Sequence, residues 1–260
     1  MDRPAPSPAL IDRAAPPEGV RLYAVGDVHG CRGPLRQLLV DVARDADAAP
    51  PADEIRLVFV GDYVDRGPDS AGVIDDLLAL ARDGLPGGRP VRLVTLMGNH
   101  EDYLLRFLKG DLAAGPRWMM NGGAETLESY GVEPPATQHG EAALRASAEA
   151  FARAVPEAHR RFYETLSLSH EAGAYFFAHA GVNPDRSFDD QDPNDLIWIR
   201  EPFLSDEREL GRIVVHGHTP RERVEERVNR IGLDTGAVYG GRLTAACFWG
   251  TERRYLQINC

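Results

Sequence analysis

Five short β-prone apolar runs, at residues 22–25, 55–60, 91–96, 175–178 and 213–215, each lead into Gly, His, Asp or Asn. The pattern places turn-forming and metal-compatible side chains at strand ends. Between the first three runs, residues 34–43 and 70–81 carry helical periodicity, so the β-α-β-α-β order predicts a layered α/β core. In open α/β sheets ligands bind beyond the carboxyl ends of strands, which lets motifs distant in sequence converge on one rim.

From residue 101 to 166 the pattern becomes mostly helical, with 141–155 rich in Ala, Glu and Arg and Pro156 placed to start another helix. This segment reads either as a helical cover over one sheet face or as an insert that sets specificity. β-prone runs return at 230–233, 243–248 and 254–258 between Gly-rich turns and are expected to form a second sheet. Residues 1–19, rich in Pro and Ala, are expected to be a flexible tail, leaving residues 20–260 as one domain.

The motifs at the strand ends carry the chemistry. Gly26-Asp27-Val28-His29-Gly30 can turn a carboxylate and an imidazole to the same side of an extended turn, although alone it also reads as an ordinary surface turn. Gly61-Asp62-Tyr63-Val64-Asp65-Arg66-Gly67 and Gly98-Asn99-His100-Glu101 add more of the same kind. A carboxylate can bridge two cations, an Asn carbonyl ligates without adding charge, and Arg grips phosphate oxygens in a fork. His179-Ala180-Gly181 and His216-Gly217-His218-Thr219-Pro220 complete the set. Gly precedes Asp27, Asp62 and Asn99, consistent with sharp turns, and by that pattern Gly217 marks His218 as the ligand and leaves His216 a structural role.

Net charge is −11 with no dense Lys/Arg cluster, which argues against a stable nucleic-acid or anionic-membrane partner. A phosphorylated substrate stays compatible, because bound cations supply positive charge that a residue count omits. Residues 1–19 hold no apolar run long enough for a signal sequence or membrane span, and Cys31, Cys247 and Cys260 lack CxxC spacing. Both features lead us to expect a cytoplasmic protein without a zinc-thiolate site.

Taken with WMMNGG at 118–123, LIWIRE at 196–201 and DTGAVYGGRLT at 234–244, these motifs resemble the phosphoprotein phosphatase family of calcineurin-like metallophosphoesterases, in its bacterial and phage branch. The resemblance spans about residues 21–248. It implies a β-sandwich flanked by helices, a four-layer α/β/β/α fold with a dinuclear metal site at the C-terminal ends of strands. It further implies that Asp27, His29 and Asp62 hold one divalent cation and that Asp62, Asn99, His179 and His218 hold the other. Asp62 would bridge them. Arg66 and Arg200 would bind phosphate, with His100 as general acid and Asp65 as its orienting partner. The implied metal is Mn²⁺, and the same donors accept Fe or Zn²⁺.

The activity so implied is that of a serine/threonine protein phosphatase, acting on phosphorylated proteins, peptides or small phosphate esters by direct attack of a hydroxide shared by the two cations. Its nearest rival is a diadenosine tetraphosphate, or dinucleoside polyphosphate, hydrolase. The intact Asp65-Arg66 pair, with the motifs at 98–101 and 217–220, resembles the protein phosphatases more than those hydrolases. An alternative of another class is a metal-containing binding domain without catalysis.

Overall fold

The computed structural model describes residues 9–135 and 140–260. The chain first forms α1 (Leu10–Arg13), β1 (Val20–Val25), α2 (Arg32–Ala48), β2 (Glu54–Phe59), α3 (Ser70–Asp83) and β3 (Arg92–Thr95). Helices α4 (Asn99–Leu108), α5 (Gly115–Trp118), α6 (Ala124–Ser129), α7 (Gly140–Ala154) and α8 (Glu157–Glu164) follow. The remainder comprises β4 (Ser169–Ala172), β5 (Tyr175–Ala178), α9 (Pro193–Trp198), β6 (Ile213–His216), β7 (Glu225–Glu226), β8 (Arg230–Gly232), β9 (Arg242–Trp249) and β10 (Glu252–Asn259).

Two sheets result, ordered β10-β9-β1-β2-β3 and β4-β5-β6-β8-β7. Strands β1, β2 and β3 run parallel, as do β5, β6 and β8, while the outer strands of each sheet include antiparallel partners. Alternation along the strands builds the layers. Leu22 and Ala24 of β1, Val58 of β2, Tyr175 and Phe177 of β5 and Ile213 and Val215 of β6 meet between the sheets. Tyr23, Val25, Leu57 and Phe59 point the other way, into a core shared with the helices. On the far side, Phe176 and Val214 pack with Leu196 and Ile197 of α9. This is the expected four-layer α/β/β/α arrangement.

The helices dock through apolar stripes. In α2, Leu35, Leu38, Leu39, Val42, Ala43 and Ala46 recur at helical spacing and are buried. Helix α3 starts at Asp69, whose carboxylate accepts the Gly72 amide at 2.8 Å and so satisfies one of the free donors of the first turn. Leu104 and Phe107 of α4, Phe151 of α7 and Tyr163 of α8 join the same core as α2 and α3. The segment 101–166 thus covers the outer face of the first sheet.

Two expectations need correction. The runs at 243–248 and 254–258 do not join a second sheet with 230–233; they form β9 and β10, which extend the first sheet beside β1. The physical reason is that β9 is buried on both faces, with Leu243, Ala245 and Cys247 toward the helices and Ala246 and Phe248 toward the other sheet. Such a strand suits an interior position in either sheet. The expected tail also differs over its described part. Leu10, Ile11 and Ala14 are buried in the inter-sheet core, and the Ala174 amide donates to Ala15 O at 2.9 Å. The two large apolar side chains of α1 supply the reason, since burying them removes apolar surface from water; residues 1–8 lie outside the described residues.

Candidate metal centre

The turns after β1, β2, β3, β5 and β6 carry Asp27 and His29, Asp62, Asn99, His179 and His218. The two sheets bring them together. Asp62 stands in the middle, with Oδ2 3.5 Å from His29 Nε2 and Oδ1 3.4 Å from His179 Nε2. Asn99 Oδ1 lies 2.9 Å from His179 Nε2 and 2.8 Å from His218 Nδ1. Side chains from the first sheet therefore face side chains from the second across a few ångströms.

Two groups have ligand atoms all within 4.8 Å of one another: His29, Asp62 and His100, and Asp62, His179 and His218. Both contain Asp62. The first group has His100 where Asp27 was expected, because the Asp27 carboxylate turns to accept the His218 amide at 3.0 Å. His216 belongs to neither group; its Nδ1 lies 3.0 Å from Gly217 O, and its ring packs against Phe203.

The backbone here is strained. Among the described residues, the non-glycine positions with positive φ are His29, Asp62, Asp65, Arg66 and His218. The glycines that precede candidate ligands act partly by close approach: a Cβ on Gly98 would collide with Asp62 Oδ1, and one on Gly217 with Asp27 Oδ1.

The donor chemistry fits divalent cations. Burial drives the pKa of His29 down to about 3 and that of His218 to about 2, so both imidazoles are neutral and offer lone pairs. His29 Nδ1 lies 2.7 Å from Val64 O and His179 Nδ1 2.9 Å from Val60 O. Donation to those carbonyls sets the tautomers and leaves both Nε2 lone pairs turned toward Asp62. The Asp27 carboxyl is held well above its usual range by burial, then by the charges of Asp234 and Asp62. Buried carboxylates in such proximity call for positive charge among them. Oxygen and imidazole donors without thiolate suit Mn²⁺, Fe or Zn²⁺.

Beside this cluster, His100 Nδ1 donates to Asp65 Oδ2 at 2.6 Å, with both residues buried. Burial opposes charge on His100, but the charge of Asp62 and the bond to Asp65 outweigh it, and the pKa is raised. Arg66 Nη1 lies 2.7 Å from His29 Nε2. One lone pair cannot serve a guanidinium and a cation together, so ligation by His29 requires Arg66 to swing outward. Arg200 is exposed at the rim, its Nη2 3.4 Å from His218 O.

Residues 20–240 match the family profile of the calcineurin-like phosphoesterases. The chain belongs to this family. It is 30% identical over 233 residues to serine/threonine-protein phosphatase 1 of Salmonella typhimurium, a match covering 86% of this chain and 90% of that protein. It is as similar to bis(5'-nucleosyl)-tetraphosphatases: 31% over 243 residues to the asymmetrical enzyme of Bacillus subtilis, covering 86% and 89%, and 29% over 289 residues to the symmetrical enzyme of Paracidovorax citrulli, covering 92% and 97%. The crystal structure of a candidate diadenosine tetraphosphatase superposes with a TM-score of 0.64 at 27% identity, covering 93% of this chain and 95% of that one. The protein is thus a metal-dependent phosphoester hydrolase. No helix among its described residues is long and apolar enough to cross a membrane.

Several residues of the phosphoesterase site escaped the sequence reading. Glu101 is fully buried and accepts the amides of Tyr63 at 2.8 Å, Asp62 at 2.9 Å and Gly98 at 3.0 Å, which fixes the turn that carries Asp62. Its place in the Gly-Asn-His-Glu motif was visible, but nothing local tells that its partners lie 38 and 39 residues away. Asp234, two residues beyond β8, extends the strand-end rule to a sixth strand and could have been found by it. Trp118 and Thr126, which hold Asp65, gave no chemical signal.

Proposed function

We propose that this phosphoesterase hydrolyses a dinucleoside polyphosphate, with Asp27, His29 and Asp62 holding one divalent cation and Asp62, Asn99, His179 and His218 the other. The observation that carries the choice of substrate is Tyr239. Its ring is 63% exposed, with the Arg66 guanidinium 5.6 Å from the ring centroid. An aromatic face able to stack on a base thus stands beside a side chain able to grip phosphate. The relatives named bis(5'-nucleosyl)-tetraphosphatases support the same reading and move it ahead of the protein phosphatase favoured by sequence alone.

When bound, the cations would supply Lewis acidity toward the phosphoryl oxygens and an acidified water. Arg66 binds non-bridging phosphate oxygens and offsets the charge that gathers on them in the transition state, while Arg200 helps to hold the bound ester from the rim. His100, protonated and fixed through Nδ1 by Asp65, gives its Nε2 proton to the departing oxygen. Asp65 holds the imidazole in that orientation and favours its charged form.

A second reading, a serine/threonine protein phosphatase, is favoured by the His100–Asp65 pair, because an alkoxide needs a proton on departure far more than a polyphosphate does. The likeness to the Salmonella protein supports it too. Assays of diadenosine tetraphosphate, a phosphoserine/phosphothreonine peptide and a phosphotyrosine peptide, with and without Mn²⁺, separate the two. The dinucleotide is expected to give the highest kcat/KM and to require metal. Tyr239→Ala should raise its KM about tenfold, as loss of one base-stacking contact does, and leave an aryl phosphate unaffected. Preference for the phosphoserine/phosphothreonine peptide, with no response to Tyr239→Ala, would transfer the assignment to the second reading.

A further inference from the structure

The stretch that runs from the last residue of α5 into α6 contains Trp118, Gly122, Gly123 and Thr126, and it touches two neighbouring residues of the site at once. Trp118, fully buried, donates Nε1–H to both oxygens of Asp65 at 3.0 and 2.9 Å. Thr126 Oγ1 donates to Asp65 Oδ1 at 2.7 Å and also lies 2.9 Å from the Asp65 amide. Four residues after Trp118, Gly122 O accepts the Arg66 amide at 3.1 Å.

Both glycines are needed for this fit. Gly122 has φ of 98°, and a Cβ there would lie 2.5 Å from Arg66 N and 2.6 Å from its Cγ. A Cβ on Gly123 would sit 2.6 Å from the Trp118 indole. The pair they hold is itself strained, since Asp65 and Arg66 adopt consecutive positive φ values of 73° and 67°. Side chains in so unfavourable a backbone keep one orientation only when their surroundings over-determine it.

We infer that this stretch is a positioning clamp, in which Trp118 and Thr126 aim Asp65 at His100 while Gly122 seats Arg66, so that one element sets both proton delivery and phosphate binding. None of these residues touches the reacting atoms. Their influence passes through Asp65 and Arg66. The inference rests on phosphoester hydrolysis at this site and is independent of which ester is the natural substrate.

The two arms of the clamp predict different defects in the Mn²⁺-loaded protein. Trp118→Phe keeps the ring and removes the donor. Its rates across aryl phosphates of rising leaving-group pKa should fall more steeply than those of the original protein, by about tenfold at the least acidic leaving group, the scale of one hydrogen bond to a charged group. Its inhibition constant for inorganic phosphate should stay within about twofold, because a bond to Asp65 is not a bond to phosphate. Gly122→Ala should do the reverse, raising that inhibition constant about tenfold through a displaced Arg66 with an unchanged leaving-group slope. The proton on His100 Nδ1, followed by NMR in the protein loaded with diamagnetic Zn²⁺ in place of Mn²⁺, should shift in Trp118→Phe and not in Gly122→Ala. Thr126→Val, which removes the other donor, should follow Trp118→Phe and serves if that variant folds poorly. Equal losses in every readout, or an unmoved His100 resonance in both Trp118→Phe and Thr126→Val, would overturn the clamp. Should the original protein hydrolyse no phosphoester, the hydrolase reading fails, while the His100 resonance still tests the positioning on its own.

Discussion

At the strand-end rim each candidate metal ligand sits within four residues of the strand that carries it, whereas in the helical cover Trp118 and Thr126 reach Asp65 across 53 and 61 residues. The rim is built from local turns whose side chains point at one another from two sheets. The cover is built from packing: Trp118 lies between Phe107, at 4.9 Å, and Phe151, at 5.6 Å between ring centroids. The difference teaches where each part is vulnerable. A rim residue is sensitive to the charge and lone pairs of one side chain, a cover residue to volume and to the pose it imposes on a distant partner.

The sharpest way to break this division is Asp62→Asn. Asp62 is shared by both candidate ligand groups, so the variant should lose bound metal, read by elemental analysis, and with it nearly all turnover. Retention of both metals would remove Asp62 from its bridging place. Next in size is His100→Asn, expected to lower turnover of an alkyl phosphate by about 10²–10⁴-fold and that of an activated aryl phosphate much less. Equal losses on the two esters would deny His100 the role of acid.

The cover is probed through stability. Phe151→Ala, at a fully buried site, should cost about 3–5 kcal/mol in denaturant unfolding and leave metal content per folded molecule unchanged. Metal loss in the folded variant would show that rim and cover are not separable. Arg200→Ala should have the smallest effect, a rise in KM of about tenfold with kcat nearly unchanged, as befits one charge-assisted contact from an exposed side chain. A collapse in kcat instead would place Arg200 among the groups that act chiefly in the transition state.

The same contrast governs what could be read from sequence. Asp62, Asn99, His179 and His218 were legible as candidate ligands because an apolar run leading into a donor, directly at His179 and through a Gly at the other three, is a short-range pattern, and the layered fold makes such ends converge. Trp118 was only a letter in a resembling motif, because an indole N–H bonded to a residue 53 positions away leaves no local trace. Sheet membership of β9 was hidden for a different reason: burial on both faces looks alike in any interior strand. Leu10 and Ile11 were overlooked because two apolar residues among Pro and Ala are too few to show periodicity, although both are buried in the inter-sheet core.

The left-handed turns at His29, Asp62, Asp65, Arg66 and His218 set the protein's tolerance to improvement. At about 1–3 kcal/mol each, their combined strain is comparable with the whole folding margin of a typical domain, about 5–15 kcal/mol. Selection for heat resistance alone would therefore push these positions toward Gly or Asn, which occupy such backbone shapes more readily. A thermostabilised lineage bred without a catalytic screen should drift into a sturdier but inert protein, and its first substitutions should map the active site.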